Sequence, residues 1–306
     1  MSAPASVHPV KFGPFITRAV IEGLEGLEGL EGLEHSSVLL TSRRHRKQLR
    51  PLRLLTSGGL DHEAVPRKDW FRFWAPDRLS WWMAILFMIG SSLFAIGAAP
   101  SLWPVFFQSF LGQDANPISN VTYFVGSLFF TSAASLQLFQ SMNSDISRVG
   151  DGRGTRIVWW AWRPRNLGYL ASLIQFAGTL LFNLNTGSGL VQQTHPDWMT
   201  WVPNMTGSIC FLAASLCAYL EIAHRIRYFA ANDLTFWITA INGLGSVAFQ
   251  ISAFASYVGA DGQLADATVA NWGTFLGALC FLVASYLLIP EMFEKTSETD
   301  DSAATR

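Results

Sequence analysis

The stretch "LFMIGSSLF" runs from Leu86 to Phe94, and its Gly-Ser-Ser would weaken a helix in water. It recurs in altered form as "FAGTLLF" (Phe176–Phe182) and "GLGSVAF" (Gly243–Phe249). What decides the fold is the apolar chain around each copy. Six nearly uncharged stretches lie at about 80–99, 121–140, 168–186, 204–222, 235–258 and 271–289. Each has about the 20 residues needed to span a hydrocarbon core. Charged residues make up 14% of the chain, against about a quarter in soluble domains, so the deficit is concentrated in these spans. The expectation is an all-α polytopic membrane protein of six transmembrane helices.

Charge placement orients it. The 21 Lys and Arg fall in the N-terminal segment, in the second and fourth loops (Arg148, Arg153, Arg156, Arg163, Arg165; Arg225, Arg227) and in the C-terminal tail. The other three loops carry Asp114, Asp197, Asp261 and Asp266 and no basic residue. Short basic loops stay on the cytoplasmic side, so both termini are expected inside, in the plasma (inner) membrane. All 12 Trp fall at the edges of the spans, as an aromatic belt requires.

The hairpins repeat. "WAPDRLSWWMAILFMIGSSLF" (Trp74–Phe94) aligns without gaps on "WRPRNLGYLASLIQFAGTLLF" (Trp162–Phe182) and "FAANDLTFWITAINGLGSVAF" (Phe229–Phe249). The second helices align as "GSLFFTSAASLQLFQ" (Gly126–Gln140), "GSICFLAASLCAYLE" (Gly207–Glu221) and "GALCFLVASYLLIPE" (Gly277–Glu291). Each unit starts and ends on the same side, so the units should be related by an axis along the membrane normal. The expected architecture is three tandem hairpins about a pseudo-three-fold axis: 66–145, 146–226 and 227–292. Before them stands a disordered segment, 1–65, with the Glu-Gly-Leu repeat of Glu22–Glu34 and a basic stretch. After them comes an acidic disordered tail, 293–306.

The glycines answer the puzzle of the opening stretch. Lipid is as apolar as leucine, so membrane helices associate by close approach at small residues. Gly90, Gly126, Gly178, Gly207, Gly245 and Gly277 are expected helix contact points. The phenylalanine one turn on (Phe94, Phe130, Phe182, Phe211, Phe249, Phe281) would fill the groove beside a neighbour's glycine.

A hairpin with Gly-Ser-x-x-Phe near the middle of each helix resembles the YrhK-like domain, a small bacterial membrane module. "FMIGSSLF" (Phe87–Phe94) and "YFVGSLFF" (Tyr123–Phe130) carry the resemblance, best over residues 75–143. It implies a fold and no chemistry. Mitochondrial solute carriers also have three hairpins, but their Pro-x-Asp/Glu-x-x-Lys/Arg motif is missing from the odd helices.

No catalytic constellation, cofactor motif or metal-ligand spacing stands out, and an enzyme is not expected. Glu221 and Glu291 fall at matching helix ends, each with a cation four residues on (Arg225, Lys295), which suggests local pairing. Five amides lie near mid-membrane: Gln175, Asn183, Asn185, Asn242 and Gln250. Two roles are open to them, lining a small polar path near helices 3 and 5 or hydrogen-bonding between helices. Asn120, Asn204 and Asn271 read as helix N-caps. Cys210, Cys217 and Cys280 read as packing thiols. The expected function is a structural protein or a subunit of a membrane complex, with a small-solute facilitator as the alternative. The expected partners are the lipid bilayer, anionic lipid through residues 43–53, and other membrane proteins or further copies of the chain, with no nucleic acid.

Overall fold

The computed structural model describes residues 6–22, 38–49, 52–53, 70–111, 116–144, 157–190, 197–223, 229–259 and 263–293. Six helices are long and apolar enough to cross a membrane: α2 (Leu79–Leu102), α4 (Asn116–Asn143), α5 (Leu167–Ser188), α6 (Asp197–Ala223), α7 (Leu234–Ala255) and α8 (Ala267–Glu291). Their outward faces carry bare apolar side chains such as Ile96, Leu184, Leu216, Leu244 and Phe254. Lipid solvates such a surface and water does not, so the chain is a multi-pass membrane protein. A short helix, α3 (Pro104–Leu111), follows α2 and exposes Val105 and Phe106.

Each long helix packs on the next in sequence, and α8 returns to α2, so the six close into a ring. Within α2–α4, α5–α6 and α7–α8 the same contact is made. A β-carbon added at Gly90 would lie 3.0 Å from the Gly126 carbonyl oxygen and 3.0 Å from the Phe130 ring. At Gly178 it would lie 3.1 Å from the Gly207 carbonyl and 3.0 Å from Phe211; at Gly245, 3.1 Å from the Gly277 carbonyl and 3.2 Å from Phe281. Contact runs the other way too: Gly126, Gly207 and Gly277 receive Phe94, Phe182 and Phe249.

The six phenylalanines meet at the centre. Phe94, Phe182 and Phe249 form one triangle, with ring centroids 6.4, 5.8 and 5.9 Å apart. Phe130, Phe211 and Phe281 form a second, at 6.4, 5.7 and 6.1 Å. Pairs within each hairpin join the triangles at 5.4, 5.3 and 5.1 Å with steep interplanar angles. Edge-on aromatic pairs of this kind add about 0.5–1.5 kcal/mol each beyond area burial.

The described residues 6–22, 38–49 and 52–53 correct the expectation of an all-helical chain with a disordered start. Four strands, β1 (Ser6–Phe12), β2 (Phe15–Glu22), β3 (Val38–Thr41) and β4 (Leu52–Arg53), form an antiparallel sheet in sequence order. The period-two signal is in "FITRAVIE", where Thr17, Ala19 and Ile21 are buried and their neighbours are not. Gly13, at φ +56°, stands at the first central position of the two-residue turn between β1 and β2, a left-handed conformation that glycine adopts without strain. Between β3 and β4 lies the five-residue helix α1 (Ser42–Arg46). The Glu-Gly-Leu repeat beyond Glu22 and the tail from 294 fall outside the described residues.

The Asn caps are corrected as well. Asn120, Asn204 and Asn271 lie inside α4, α6 and α8, because these helices begin four to seven residues before the apolar stretches do. Asn166, Asp233 and Asp266 cap α5, α7 and α8 instead, accepting from the Tyr169, Thr235 and Val269 amides. Asn120 and Asn204 reach across to the Gly189 carbonyl and to Ser256 Oγ, each at 2.9 Å.

Two glycines of α7 test the packing. A β-carbon at Gly245 meets backbone and side chains at 3.1–3.2 Å, whereas one at Gly243 meets nothing within 4 Å. Gly245→Ala should cost about 1–3 kcal/mol through overpacking. Gly243→Ala should be neutral or slightly stabilising, since alanine favours helix. Paired thermal unfolding in mild detergent measures the difference.

Candidate functional site

Helix α1 is short and capped at both ends. Thr41 Oγ1 accepts from the Arg44 amide at its start. At its end Gln48, at φ +56°, and Leu49 donate back to the His45 and Arg44 carbonyls, the pattern of a left-handed helix stop. The helix therefore presents fixed faces, and residues four apart share one. Ser42 and Arg46 face Glu221 of α6; Arg43 and Lys47 face Glu291 of α8.

Arg46 grips Glu221 with two parallel bonds, Nη1 to Oε1 at 2.7 Å and Nη2 to Oε2 at 2.9 Å, and Ser42 Oγ donates to Oε1 at 2.5 Å. Arg43 donates to Glu291 Oε1 from Nη2 at 2.9 Å and from Nε at 3.2 Å. Lys47 Nζ lies 2.5 Å from Glu291 Oε2, and Thr235 Oγ1 of α7 donates to Oε1 at 3.0 Å. Both carboxylates are shut away from solvent, at 0% and 1% exposure. Bidentate guanidinium pairs are the strong form of such bonds. One helical turn thus braces α6 against α8, which are not neighbours in the ring.

The first helices of the hairpins prepare this end. Positions 80, 168 and 235 align in sequence as Ser, Gly and Thr. Gln140 Nε2 donates to Ser80 Oγ at 3.1 Å, and Thr235 donates to Glu291. At Gly168 the Arg46 guanidinium fills the space a side chain would take. A β-carbon there would overlap the guanidinium and stand 2.5 Å from Glu221 Oε1.

Burial, and then the neighbouring Arg43, push the Lys47 ammonium down to about 7, although Glu291 pulls the other way. Burial also lowers Arg18 on β2.

Sequence reasoning missed α1 as a partner of the acids. Pairing of Glu221 and Glu291 with Arg225 and Lys295 falls outside the described residues; the carboxylate oxygens are held by α1 and Thr235. A signal was present: in "TSRRHRK" (Thr41–Lys47) a capping threonine precedes hydroxyl and basic residues four apart.

The five amides do not gather around one space. Gln175 accepts from Gln137 Nε2 at 3.2 Å and Asn183 donates to Thr131 Oγ1 at 2.9 Å, both across α4–α5. Asn242 donates to Ser215 Oγ at 2.9 Å and Gln250 to Met205 Sδ at 2.9 Å, both across α6–α7. Asn185 donates to the Thr200 carbonyl across α5–α6. The carbonyl oxygens of Asn183 and Gln250 have no hydrogen-bond partner among the described residues. A cavity lined by Phe94, Phe130, Phe182, Phe211 and Phe249, with Ser127 and Thr179, is about the size of one water.

Compared with known proteins, the chain matches no family model, no curated protein and no solved structure.

Two predictions test the clasp. Gly168→Ala should displace Arg46 and strand Glu221, costing about 3–5 kcal/mol, the range for breaking a buried pair; Arg46→Ala in the same background should add little, since the contact is already lost. For Lys47, the folded value of about 7 lies below the ordinary 10.5. The unfolded chain therefore holds more protons between those values, and stability should rise with pH across that window. Below pH 7 the cost is fully present. Unfolding of the parent and of Lys47→Gln, followed from pH 6.5 to 10, should show a rise that the variant lacks.

Proposed function

We propose that this chain is a non-enzymatic scaffold of the membrane: three tandem hairpins about a pseudo-three-fold axis, closed at the cytoplasmic end by the N-terminal segment. It serves as a structural protein or as a subunit of a membrane complex. The observation that carries this reading is the centre filled by two phenylalanine triangles, where a transporter of this size would need a wettable path. The Gly–Phe contact made alike in three helix pairs supports the repeat, as does the hydroxyl or glycine at the aligned positions 80, 168 and 235. The YrhK-like resemblance of the first hairpin fits such a role. The positive-inside rule favours cytoplasmic termini, which would set α1 at the inner face of what we take to be the plasma membrane. Further copies of the chain or other membrane proteins are its expected partners.

A small-solute facilitator near the third and fifth spans, α5 and α7, would need the amides to converge, and they divide between α4–α5, α5–α6 and α6–α7. As hydrogen bonds between helices, they contribute roughly 0.6–2 kcal/mol per contact.

Their individual bonding separates the two roles. Gln175→Leu and Asn242→Leu should each lower stability by about that amount. Asn183→Leu and Gln250→Leu should be nearly neutral, because each also removes a buried, unpaired carbonyl. In parallel, liposomes carrying the parent protein should take up small polar solutes no faster than protein-free liposomes. Uptake that exceeds that background and is abolished in the four-leucine variant would overturn the scaffold reading.

A further inference from the structure

The cations of α1 outnumber the acids they meet. Among the described residues, Arg43, Arg46 and Lys47 face two carboxylates, Glu221 and Glu291. The polar anchorage of α1 is ionic: Arg46 bidentate on Glu221, Arg43 on both oxygens of Glu291, the Lys47 ammonium on Glu291 and the Ser42 hydroxyl on Glu221. Burying such ions costs hydration that pairing only partly offsets. The clasp is therefore specific in geometry and open to competition from another anionic surface.

That surface is close by. This end of the bundle carries exposed Trp74, Trp82, Trp159, Trp160 and Trp162, the residues that settle at headgroup level. In sequence, α1 opens the basic run "RRHRKQLRPLR" (Arg43–Arg53). Basic segments beside a membrane are drawn to anionic headgroups, an attraction that adds with each Lys or Arg and fades within a Debye length. The acid pair offers two fixed carboxylates for three cations, whereas a leaflet supplies as many mobile anions as there are charges to meet.

We propose that α1 is a latch with two alternative counter-surfaces, the Glu221/Glu291 pair and the anionic headgroups of the adjacent leaflet, and that an anionic bilayer draws it off the bundle. Release uncovers Glu221 beside Gly168 and Glu291 beside Thr235 at the end of α6 and α8. The ring itself stays closed, because its cohesion lies in the glycine and phenylalanine contacts at mid-membrane.

Hydrogen exchange on the full chain in nanodiscs tests the latch. In zwitterionic phosphatidylcholine, the Arg46–Leu49 amides, bonded within α1, should be protected. With about 30% phosphatidylglycerol they should exchange about tenfold faster, while the central turns of α2 and α4–α8 keep their protection. About 0.5 M NaCl should restore the slow rate in the anionic discs, since salt screens a surface more than a buried pair. Glu221→Gln with Glu291→Gln should give fast exchange in phosphatidylcholine alone. Inorganic phosphate added to phosphatidylcholine discs should leave the segment protected, and release by it would show that a soluble anion suffices and overturn the lipid assignment. Equal exchange in the two bilayers would sink the proposal, as would loss of protection spreading through the helices. Should the double variant fail to fold, the comparison of the two bilayers with the parent chain still decides.

Discussion

The constraint on which the rest depends is that lipid gives helices no reason to leave it. In water, burying an apolar helix face drives association; in a bilayer that drive is absent, and close van der Waals approach takes its place. Gly90, Gly178 and Gly245 meet Gly126, Gly207 and Gly277 with barely room for a β-carbon on either side. Such approach leaves notches one turn along, and the phenylalanines fill them. The rings then reach past their own pair and touch those of the other two pairs. One local device, a glycine followed four residues later by phenylalanine, thus both joins helices in pairs and joins the pairs at a common centre. Close packing there holds Ser91, Ser127, Thr179, Ser208 and Ser246 away from solvent. Their hydroxyls are small enough to sit against a neighbouring backbone, which leucine would not allow.

Much of this was legible because it is local. The apolar lengths located all six helices, and the recurring Gly-x-x-x-Phe frame singled out the residues now found at the centre. Helix ends were less legible. α6 begins at Asp197 rather than near Asn204, since Thr200, Trp201 and Asn204 find partners on α5 and α7 and so tolerate a helical backbone beyond the apolar stretch. α7 stops at Ala255, short of Val258, which bridges instead to Leu264. The N-terminal sheet was hidden by its surroundings: a period-three acidic repeat and a basic run flank strands of only two to eight residues.

The clasp was illegible for a different reason. Arg46 and Glu221 are 175 positions apart, and Arg43 and Glu291 are 248 apart. A basic run near the first span already has an explanation in topology, and a Glu four residues before a cation has one in helix pairing. Each half of the site was accounted for locally, so nothing in the sequence required the halves to meet. Gly168 illustrates this most sharply. Its neighbours in the alignment, Ser80 and Thr235, carry hydroxyls that bond the facing side chain, and the glycine gains a meaning only when the Arg46 guanidinium is seen to occupy the space.

A closed ring of six similar helices also has to choose its neighbours. Glycine and phenylalanine contacts are alike in all three pairs and cannot make that choice. The seams between pairs differ. Gln137–Gln175 and Thr131–Asn183 mark α4–α5, while Ser215–Asn242 and Met205–Gln250 mark α6–α7. The α8–α2 seam is apolar: Phe87 and Ala95 stand where the other first helices carry amides, and Trp81, Ala84, Ile289 and Met292 pack at its end. Bringing an amide face against the apolar seam would bury polar groups without partners, at about 1–3 kcal/mol each. The closed order is therefore favoured over a rotated one by what the wrong seams would leave unsatisfied. Each correct seam contributes little by itself, and the α1 clasp, which recognises α6 and α8 together, adds a second check on the same order.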